Sequence, residues 1–240
     1  LIPCVLKQRW LSVNSNGFAS YFQFSNVNWA NMGQATWETI WMTVVSIIVV
    51  TILGILLGLV LFETNGSSSI LIKILNWIVA AFVNIFRSIP FIILIVLLLP
   101  TTQLIMGTII GPQAALPSLI ISAAPFYARL VEIAFHEIDH GVIEAAEAMG
   151  ATKWQIILKV LLPESMPALV SGITVTAISL IGYTAMAGAI GAGGLGNLAY
   201  LDGFQASNNA VTLMATVIIV LIVFVFQYLG DFAVKRIDKR

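Results

Sequence analysis

Residues 39–62 read TIWMTVVSIIVVTILGILLGLVLF, an uninterrupted run without charge that is bounded by Glu38 and Glu63. A helix rises about 1.5 Å per residue, so this run is long enough to cross the roughly 30 Å hydrocarbon core of a bilayer. The stretch therefore predicts a transmembrane helix. Together with the similar runs that follow it, it predicts an all-α polytopic membrane protein.

The composition of the whole chain agrees with a membrane protein. Only 9% of the 240 residues are charged, with 11 basic and 11 acidic side chains, whereas 59% are apolar and the mean hydropathy is +1.00. Soluble domains carry about 25% charged residues. The deficit excludes a soluble enzyme, a disordered tail and a nucleic-acid binder, and it makes membrane lipid the main surroundings. The single cysteine, Cys4, excludes an internal disulfide and a cysteine metal cluster.

Five uncharged runs predict transmembrane helices at about 39–62, 74–100, 113–133, 167–188 and 210–230. Five spans place the two chain ends on opposite sides of the membrane. Apart from the N-terminal stretch and Arg87, which lies within a predicted span, all lysine and arginine residues fall on one side. The positive-inside rule puts that side, with the loop 134–165 and the C-terminus, in the cytoplasm and the N-terminus outside. The residues counted are Lys73, Arg129, Lys153, Lys159, Lys235, Arg236, Lys239 and Arg240.

Residues 1–31 are rich in Asn and Ser and lack the apolar core of a cleavable signal peptide. One interpretation is an N-terminal extension without function, which leaves 32–240 as the transmembrane domain. The other is a short interfacial segment with Trp10, Tyr21 and Trp29 at the lipid headgroups.

Two motifs suggest a zinc protease. His136-Glu137-Ile138-Asp139-His140 matches H-E-x-x-H, and Leu201-Asp202-Gly203 matches a further ligand motif of intramembrane zinc proteases. The predicted topology argues against a zinc site, because His136 lies at the cytoplasmic end of the third helix and Asp202 beyond the outer end of the fourth. Zinc ligands lie within about 2.0–2.2 Å of the ion. We therefore expect no metal site and keep the protease as an alternative.

Gly191, Gly193 and Gly196 match the dinucleotide pattern G-x-G-x-x-G, which needs a preceding strand and an acidic residue about 20 positions later. A membrane helix precedes these glycines instead, and Asp202 is too near. We interpret the motif as a tight backbone turn at the outer membrane face. Other glycines are predicted to let the helices pack closely; they are Gly54, Gly58, Gly172, Gly182 and Gly188.

Arg87 interrupts the second uncharged run and is followed by Ser88, Ile89 and Pro90. A charge at mid-membrane costs about 2.5–3.5 kcal/mol on insertion scales, and Pro90 removes a backbone hydrogen bond. Arg87, Ser88 and Pro90 are therefore candidates for the translocation pathway or its gate. The alternative is that Arg87 pairs with a freed carbonyl or a carboxylate and only fixes helix packing.

The predicted cytoplasmic loop contains GVIEAAEAMGATKWQIILKVLLP at 141–163. A short helix is expected at the start of this stretch, ended by Gly150 in a left-handed conformation. Thr152 and Gln155 form the capping box of a second helix, which Pro163 should stop. Two short helices with a sharp bend are more than a connector needs, so the loop is predicted to be a docking element.

This loop resembles the one in bacterial ABC importer permeases, E-A-A-x3-G-x9-I-x-L-P. The matching residues are Glu144, Ala145, Ala146, Gly150, Leu162 and Pro163, with Val160 in place of the usual Ile. The resemblance implies the type I ABC importer permease fold. It also implies that the loop docks into a groove of a cytoplasmic ATPase and transmits the closure of the ATPase to the membrane helices.

A narrower resemblance to the methionine importer permease family covers about residues 33–240. It rests on stretches such as WETIWMTVV, VNIFRSIPFIIL, KVLLPESMPALV and GYTAMAGAIGAGGLGNLAY. It implies a multi-pass protein of the bacterial inner membrane that imports D- and L-methionine as a homodimer, with two ATPase subunits and an extracytoplasmic methionine-binding lipoprotein. ATP and Mg²⁺ would bind the ATPase, and no cofactor is expected on this chain. The alternatives are an importer of another amino acid, the zinc protease and a secondary transporter.

Overall fold

The computed structural model describes residues 18–65 and 69–238 of the 240-residue chain. Cys4, Trp10 and most of the predicted N-terminal extension lie outside the described residues, as do Lys239 and Arg240. Within the described ranges the chain is helical and contains no β-strand. Five of its helices are long and apolar enough to cross a membrane, which confirms the predicted all-α class with five spans.

Nine helices follow one another along the described part of the chain. They are α1 (Trp29–Thr64), α2 (Ile70–Ser88), α3 (Phe91–Leu97), α4 (Leu99–Met106), α5 (Pro112–His136), α6 (His140–Ala148), α7 (Lys153–Gly188), α8 (Gly194–Leu198) and α9 (Asn209–Ile237). Two 3₁₀ turns, Phe18–Phe22 and Phe24–Asn26, precede α1, and a π turn, Ala199–Gln205, continues α8. The five candidate spans are α1, α2, α5, α7 and α9.

Helix α1 begins well before the predicted start near residue 39, because Glu38 ends the uncharged run but not the helix. The Asn28 side chain accepts hydrogen bonds from the backbone N–H groups of Ala30 and Asn31 and so caps the first turn. Residues 29–31 therefore belong to the same helix as the predicted first span.

The segment before α1 also contacts the helices. The Asn209 side chain donates a hydrogen bond of 2.8 Å to the Ser20 hydroxyl. Val27 is buried in a cluster that includes Ala210 and Val211 of α9. The structure thus shows no break at the predicted domain boundary between residues 31 and 32.

The prediction of one continuous helix over 74–100 is wrong. Helix α2 ends at Ser88, and Ile89 has an extended backbone with φ −81° and ψ 123°. A residue before proline is disfavoured in the helical region, and Pro90 has no N–H to donate. The chain resumes as α3 and turns again at Leu98 into α4. Of these three helices only α2 is long enough to be a candidate span.

The prediction that Pro163 stops the second loop helix is also wrong, because α7 runs through it from Lys153 to Gly188. A π turn occupies Ile157–Leu161, directly upstream of the proline. A proline ring inside a helix meets the carbonyl four residues earlier, which here is Lys159 within the widened turn. The predicted fourth span, 167–188, is therefore the second half of a longer helix that begins in the loop.

The core of the molecule forms where α1, α5 and α7 meet. Tyr127 of α5 is fully buried, and its hydroxyl donates a hydrogen bond of 3.2 Å to the carbonyl oxygen of Leu169 in α7. Gly54 faces the Tyr127 ring from α1, and a Cβ at Gly58 would lie 2.7 Å from the Ala128 carbonyl oxygen. The absence of side chains at these glycines lets the helices approach closely.

Four of the five glycines predicted to allow close packing do face a neighbouring element. Gly54, Gly58 and Gly172 face α5, and Gly188 faces the backbone of Gly196 and Asn197. A Cβ at Gly182 would meet no other atom of the described residues within 4 Å. The prediction that Gly182 lets two helices of the same chain pack closely is therefore wrong.

Candidate functional site

The two ends of the helix bundle carry different features. We name the end with residues 107–112 and 188–208 the glycine-loop end, and the end with residues 136–153 the coupling-loop end. Helices α1 and α5 run side by side in the same direction, since Gly54 faces Tyr127 and Phe62 packs on Phe135. Helix α7 returns from the coupling-loop end to the glycine-loop end.

At the coupling-loop end, α6 carries the first part of the predicted docking motif. The helix begins at His140, because the Asp139 carboxylate accepts a hydrogen bond of 2.8 Å from the Gly141 N–H. Glu144 and Ala145 are exposed, whereas Ala146 is buried and belongs to the main core. Ala146 therefore anchors the helix, and its neighbours face away from the membrane-spanning core.

Gly150 ends α6 in the left-handed conformation that the sequence predicts, with φ +81°. The Ala151 N–H donates back to the Ala146 carbonyl over 3.1 Å, and the Gly150 N–H donates to Glu147 over 2.9 Å. This is the hydrogen-bond pattern of a helix that closes on a left-handed residue. The bend that follows is therefore held by backbone hydrogen bonds.

The predicted capping box starts α7 directly after this bend. The Gln155 N–H donates to the Thr152 hydroxyl over 3.4 Å, and the Thr152 N–H donates to the Gln155 side chain over 2.8 Å. The backbone N–H groups of Thr152 and Gln155, which have no partner within the helix, are thus both hydrogen-bonded. The predicted capping box is confirmed. The bend between α6 and α7 is therefore closed by specific contacts on both sides.

The loop 134–165, which we name the coupling loop, has large apolar side chains that are exposed rather than packed in the core. Met149 is 82% exposed, Trp154 69% and Leu158 60%, although all three side chains are large and apolar. On the opposite side of α7, Ile156 and Leu161 are buried. Large apolar side chains that are exposed outside the membrane-spanning helices are candidates for an interaction site. The geometry is that of a bent helix pair anchored on one side and unpartnered on the other.

The remaining motif residues lie in α7. Val160 and Leu162 are half-buried against the core, and Pro163 is exposed. The structure therefore does not gather the whole motif into one cluster. It places Glu144, Ala145, Ala146 and Gly150 in and just after α6, and Val160, Leu162 and Pro163 inside the long helix α7.

The sequence reasoning missed a buried carboxylate near this end of the bundle. Glu132 of α5 is buried, and its Oε2 lies 2.7 Å from Nη1 of the half-exposed Arg129. A buried charge is retained at low cost only when it is paired. The three-residue spacing on one helix could have revealed the pair, because residues i and i+3 are neighbours.

The candidate pathway residues lie at the end of α2. Arg87, Ser88 and Pro90 are all exposed on the single chain. The Ser88 hydroxyl donates to the Asn84 carbonyl over 2.8 Å. Among the described residues no carboxylate forms an ion pair with Arg87. The alternative in which Arg87 pairs with a carboxylate of its own chain thus finds no support in these residues.

The residues of the two zinc-protease motifs lie far apart. His136 is at the coupling-loop end, where its Nε2 is 3.3 Å from the Asn65 side-chain nitrogen and its ring packs on Phe62. Asp202 lies in the π turn at the glycine-loop end. The structure therefore does not bring the two halves of the proposed zinc site together.

The glycine motif forms a tight loop, as interpreted from the sequence. Gly191, Gly193 and Gly194 all have positive φ, between +74° and +94°. The Gly194 N–H donates to Oε2 of Glu38 over 2.8 Å, and the Leu195 N–H donates to the Thr39 hydroxyl over 2.9 Å. The loop is thereby fixed onto α1. The helix α7 that precedes it replaces the strand that a dinucleotide site requires.

Comparison with known proteins gives a consistent result. Residues 66–240 match the family described as binding-protein-dependent transport system inner membrane component. The chain is 59% identical over 217 residues to the methionine import system permease protein MetP of Bacillus subtilis, covering 90% of this chain and 98% of MetP. It is 46% identical over 212 residues to the probable D-methionine transport system permease protein MetI of Pasteurella multocida, covering 88% and 98% of the two chains.

A solved structure shares the architecture. The chain superposes with a TM-score of 0.84 on a chain from inward-facing conformations of the MetNI methionine ABC transporter. The two sequences are 46% identical, and the match covers 87% of this chain and 97% of that chain. The similarity therefore extends over the spans, the coupling loop and the glycine loop together.

Proposed function

This chain belongs to the family of binding-protein-dependent transport system inner membrane components, and from this membership we propose that it is the permease subunit of an ATP-driven methionine importer. The observation that carries the proposal is the identity of 59% to a methionine import permease over nearly the whole of both chains. The five candidate spans and the exposed coupling loop fit a subunit that crosses the membrane and docks a partner.

The partner that hydrolyses ATP is a separate ATPase. The chain contains no Walker A sequence G-x-x-x-x-G-K-[ST], so the phosphates of ATP and its Mg²⁺ bind elsewhere. The assembly is a homodimer of this chain with two ATPase subunits and an extracytoplasmic methionine-binding lipoprotein. The solved MetNI methionine ABC transporter supports the part of this assembly that joins permease and ATPase, because its chain aligns with 87% of this one.

The coupling loop transmits the ATPase motion. Glu144 and Gly150, with the exposed apolar side chains Met149 and Trp154, form the docking surface. ATP binding closes the ATPase pair. Helix α6 then moves as a rigid body together with α7, because the buried Ala146 and the hydrogen-bonded Gly150 bend attach it to the rest of the bundle. Since α7 begins in the loop and continues through the core, its displacement reaches the far end of the bundle and opens it outward.

The orientation follows from the basic residues. The coupling-loop end carries Lys153 and Lys159 in the loop and Lys235 and Arg236 in the last turn of α9. The positive-inside rule assigns that end to the cytoplasm. The glycine-loop end then faces outside, and the chain is a multi-pass protein of the bacterial inner membrane.

Arg87 lies on the translocation pathway or at the homodimer contact. Replacing it with glutamine is expected to lower methionine uptake about tenfold or more at an unchanged membrane level, because a charge without a partner in an apolar span marks a functional contact. Uptake of labelled methionine by cells or proteoliposomes measures the effect. Lys73→Gln on the same helix is the matched control and should retain uptake. Normal uptake by Arg87→Gln would remove the residue from the pathway.

Purification from native membranes tests the function as a whole. A tagged chain is expected to co-purify with an ATPase that carries a Walker A motif, and the complex should take up methionine when supplied with ATP and the binding lipoprotein. Zinc is measured in the same sample. A complex that transports another amino acid would revise the substrate. A lone chain with about one zinc, whose proteolytic activity is lost in His136→Ala, would overturn the proposal in favour of the protease.

A further inference from the structure

A cavity of about 340 Å³ lies at the glycine-loop end, between the first turns of α1 and the start of α5. We name it the tryptophan cavity. Its lining residues are Trp37, Glu38, Trp41, Thr108, Ile110, Gly111, Pro112 and Gln113. Ligand pockets for small molecules begin at about 300 Å³, so the volume suits a free amino acid.

The wall of the cavity carries a fixed carboxylate without a counter-cation. Oε1 of Glu38 accepts a hydrogen bond of 3.1 Å from the Gln34 side chain, and Oε2 accepts one of 2.8 Å from the Gly194 N–H. Among the described residues no basic side chain forms an ion pair with Glu38. An ionised carboxylate has about four acceptor positions, so Glu38 retains capacity for a cationic donor.

Two indole rings line the same cavity as this carboxylate. Trp37 is exposed and Trp41 is half-buried; they are four residues apart on α1 and therefore share one face of the helix, beside Glu38. An indole attracts an ammonium group over its face, and a thioether sulfur packs favourably against aromatic rings. The same rings thus suit both the charged and the apolar part of methionine.

The other wall provides the complement for a carboxylate. Gly111 caps the 25-residue helix α5, and Pro112 and Gln113 are its first residues. The N-terminal end of a helix carries a partial positive charge. The cavity therefore combines a negative wall, a partly positive wall and an aromatic lining, which is the distribution that a zwitterionic amino acid with an apolar side chain requires.

We propose that the tryptophan cavity is an outer substrate subsite of the permease, where free methionine binds with its ammonium group on Glu38 and its thioether against Trp37 and Trp41. This inference rests on the proposed function, because both the ligand and the outward orientation come from it. Binding here would hold the amino acid at the mouth of the bundle after its release from the lipoprotein.

Photo-crosslinking tests the subsite in the assembled importer. The complex of permease and ATPase in lipid nanodiscs is illuminated with a diazirine analogue of methionine that keeps the free ammonium and carboxylate groups. Labelled peptides are located by mass spectrometry, which separates this site from any methionine site on the ATPase. Labels are expected on peptides that contain 37–41 or 108–113, and unlabelled methionine should compete whereas N-acetylmethionine should not.

Glu38→Gln is the decisive variant, because the glutamine oxygen can still accept the Gly194 N–H while the charge is lost. Labelling at the cavity is expected to fall about tenfold or more, as for the loss of a charge-assisted hydrogen bond. Glu63→Gln at the other end of α1 is the matched control and should label normally. Trp37→Phe should reduce labelling less than Glu38→Gln.

Each outcome bears on one proposal. Labels confined to other peptides, or labelling at the cavity that is equal in wild type and Glu38→Gln, would overturn the subsite. If the wild-type complex takes up methionine in that case, the proposed function stands without the subsite. If the wild-type complex does not take up methionine, the proposed function itself fails.

Discussion

Replacing Gly150 with aspartate is expected to abolish methionine uptake while the permease remains folded in the membrane. The residue has φ +81°, and a Cβ there would meet no other atom of residues 18–65 and 69–238 within 4 Å, so the side chain fits but the backbone is strained. A left-handed non-glycine residue costs about 1–3 kcal/mol. The change also adds a negative charge to the surface on which the ATPase docks. Loss of a central interface residue costs about 2–4 kcal/mol, or roughly 30- to 1,000-fold in docking affinity.

Two measurements separate docking from folding in this variant. Uptake of labelled methionine reports transport, and the amount of ATPase that co-purifies with a tagged permease reports docking. Both should fall together for Gly150→Asp. Glu144→Lys should give the same loss without any backbone strain, because Glu144 is exposed and lies in the regular part of α6.

Gly107 provides the matched control. It ends α4 with φ +72°, and a Cβ there would likewise meet no other atom of the described part of the chain within 4 Å. Gly107→Asp therefore carries the same backbone cost and the same added charge away from the coupling loop. It is expected to retain ATPase binding and uptake. Equal losses in both variants would assign the effect to strain and would remove the docking role of Gly150.

The number of spans was predictable from the sequence because the bilayer imposes it. A charge-free run such as 39–62 has few alternatives to a membrane helix. The helix ends were less predictable. Glu38 interrupts the apolar pattern, yet α1 continues outward to Asn28, where a cap becomes available. A charge-free run indicates the part of a helix that is apolar enough for lipid and not the part that extends beyond it.

The effects of the prolines were not predictable from their identity alone. Pro90 breaks the predicted second helix, whereas Pro163 is accommodated within α7. A π turn at Ile157–Leu161 lies just upstream of Pro163, whereas Pro117 and Pro125 are accommodated inside α5 without one. Widening of a helix by one residue depends on how the neighbouring turns pack, and a single sequence does not report that packing.

The coupling loop and the tryptophan cavity also differed in how far the sequence could predict them. The Gly150 bend and the Thr152 capping box involve residues a few positions apart, so local rules predicted them. The contact between Glu38 and Gly194 joins residues 156 positions apart. No spacing rule links such residues, and the tryptophan cavity was therefore visible only after the helices had been placed.

Replacing Gly188 with alanine is expected to detach the glycine loop from α7. A Cβ at Gly188 would lie 2.6 Å from the Gly196 carbonyl carbon and would also collide with the Asn197 backbone nitrogen. Backbone atoms cannot rotate away as a flexible side chain can, so the loop must shift as a unit. That shift would weaken the hydrogen bonds from Gly194 to Glu38 and from Leu195 to Thr39. Overpacking of this kind costs about 1–3 kcal/mol.

Gly182→Ala in the same helix is the control, because its Cβ would meet no other atom of the described residues within 4 Å. Alanine is favoured over glycine in a helix by about 0.5–1 kcal/mol, so this variant should be as stable as the wild type or slightly more stable. Thermal unfolding of the purified proteins in detergent measures the difference. A lower midpoint for Gly188→Ala alone would establish that the loop depends on close backbone contact. Equal unfolding midpoints for both variants would contradict the prediction. They would mean that the glycine loop can shift without losing stability, and that the close contact at Gly188 does not hold Glu38 in place.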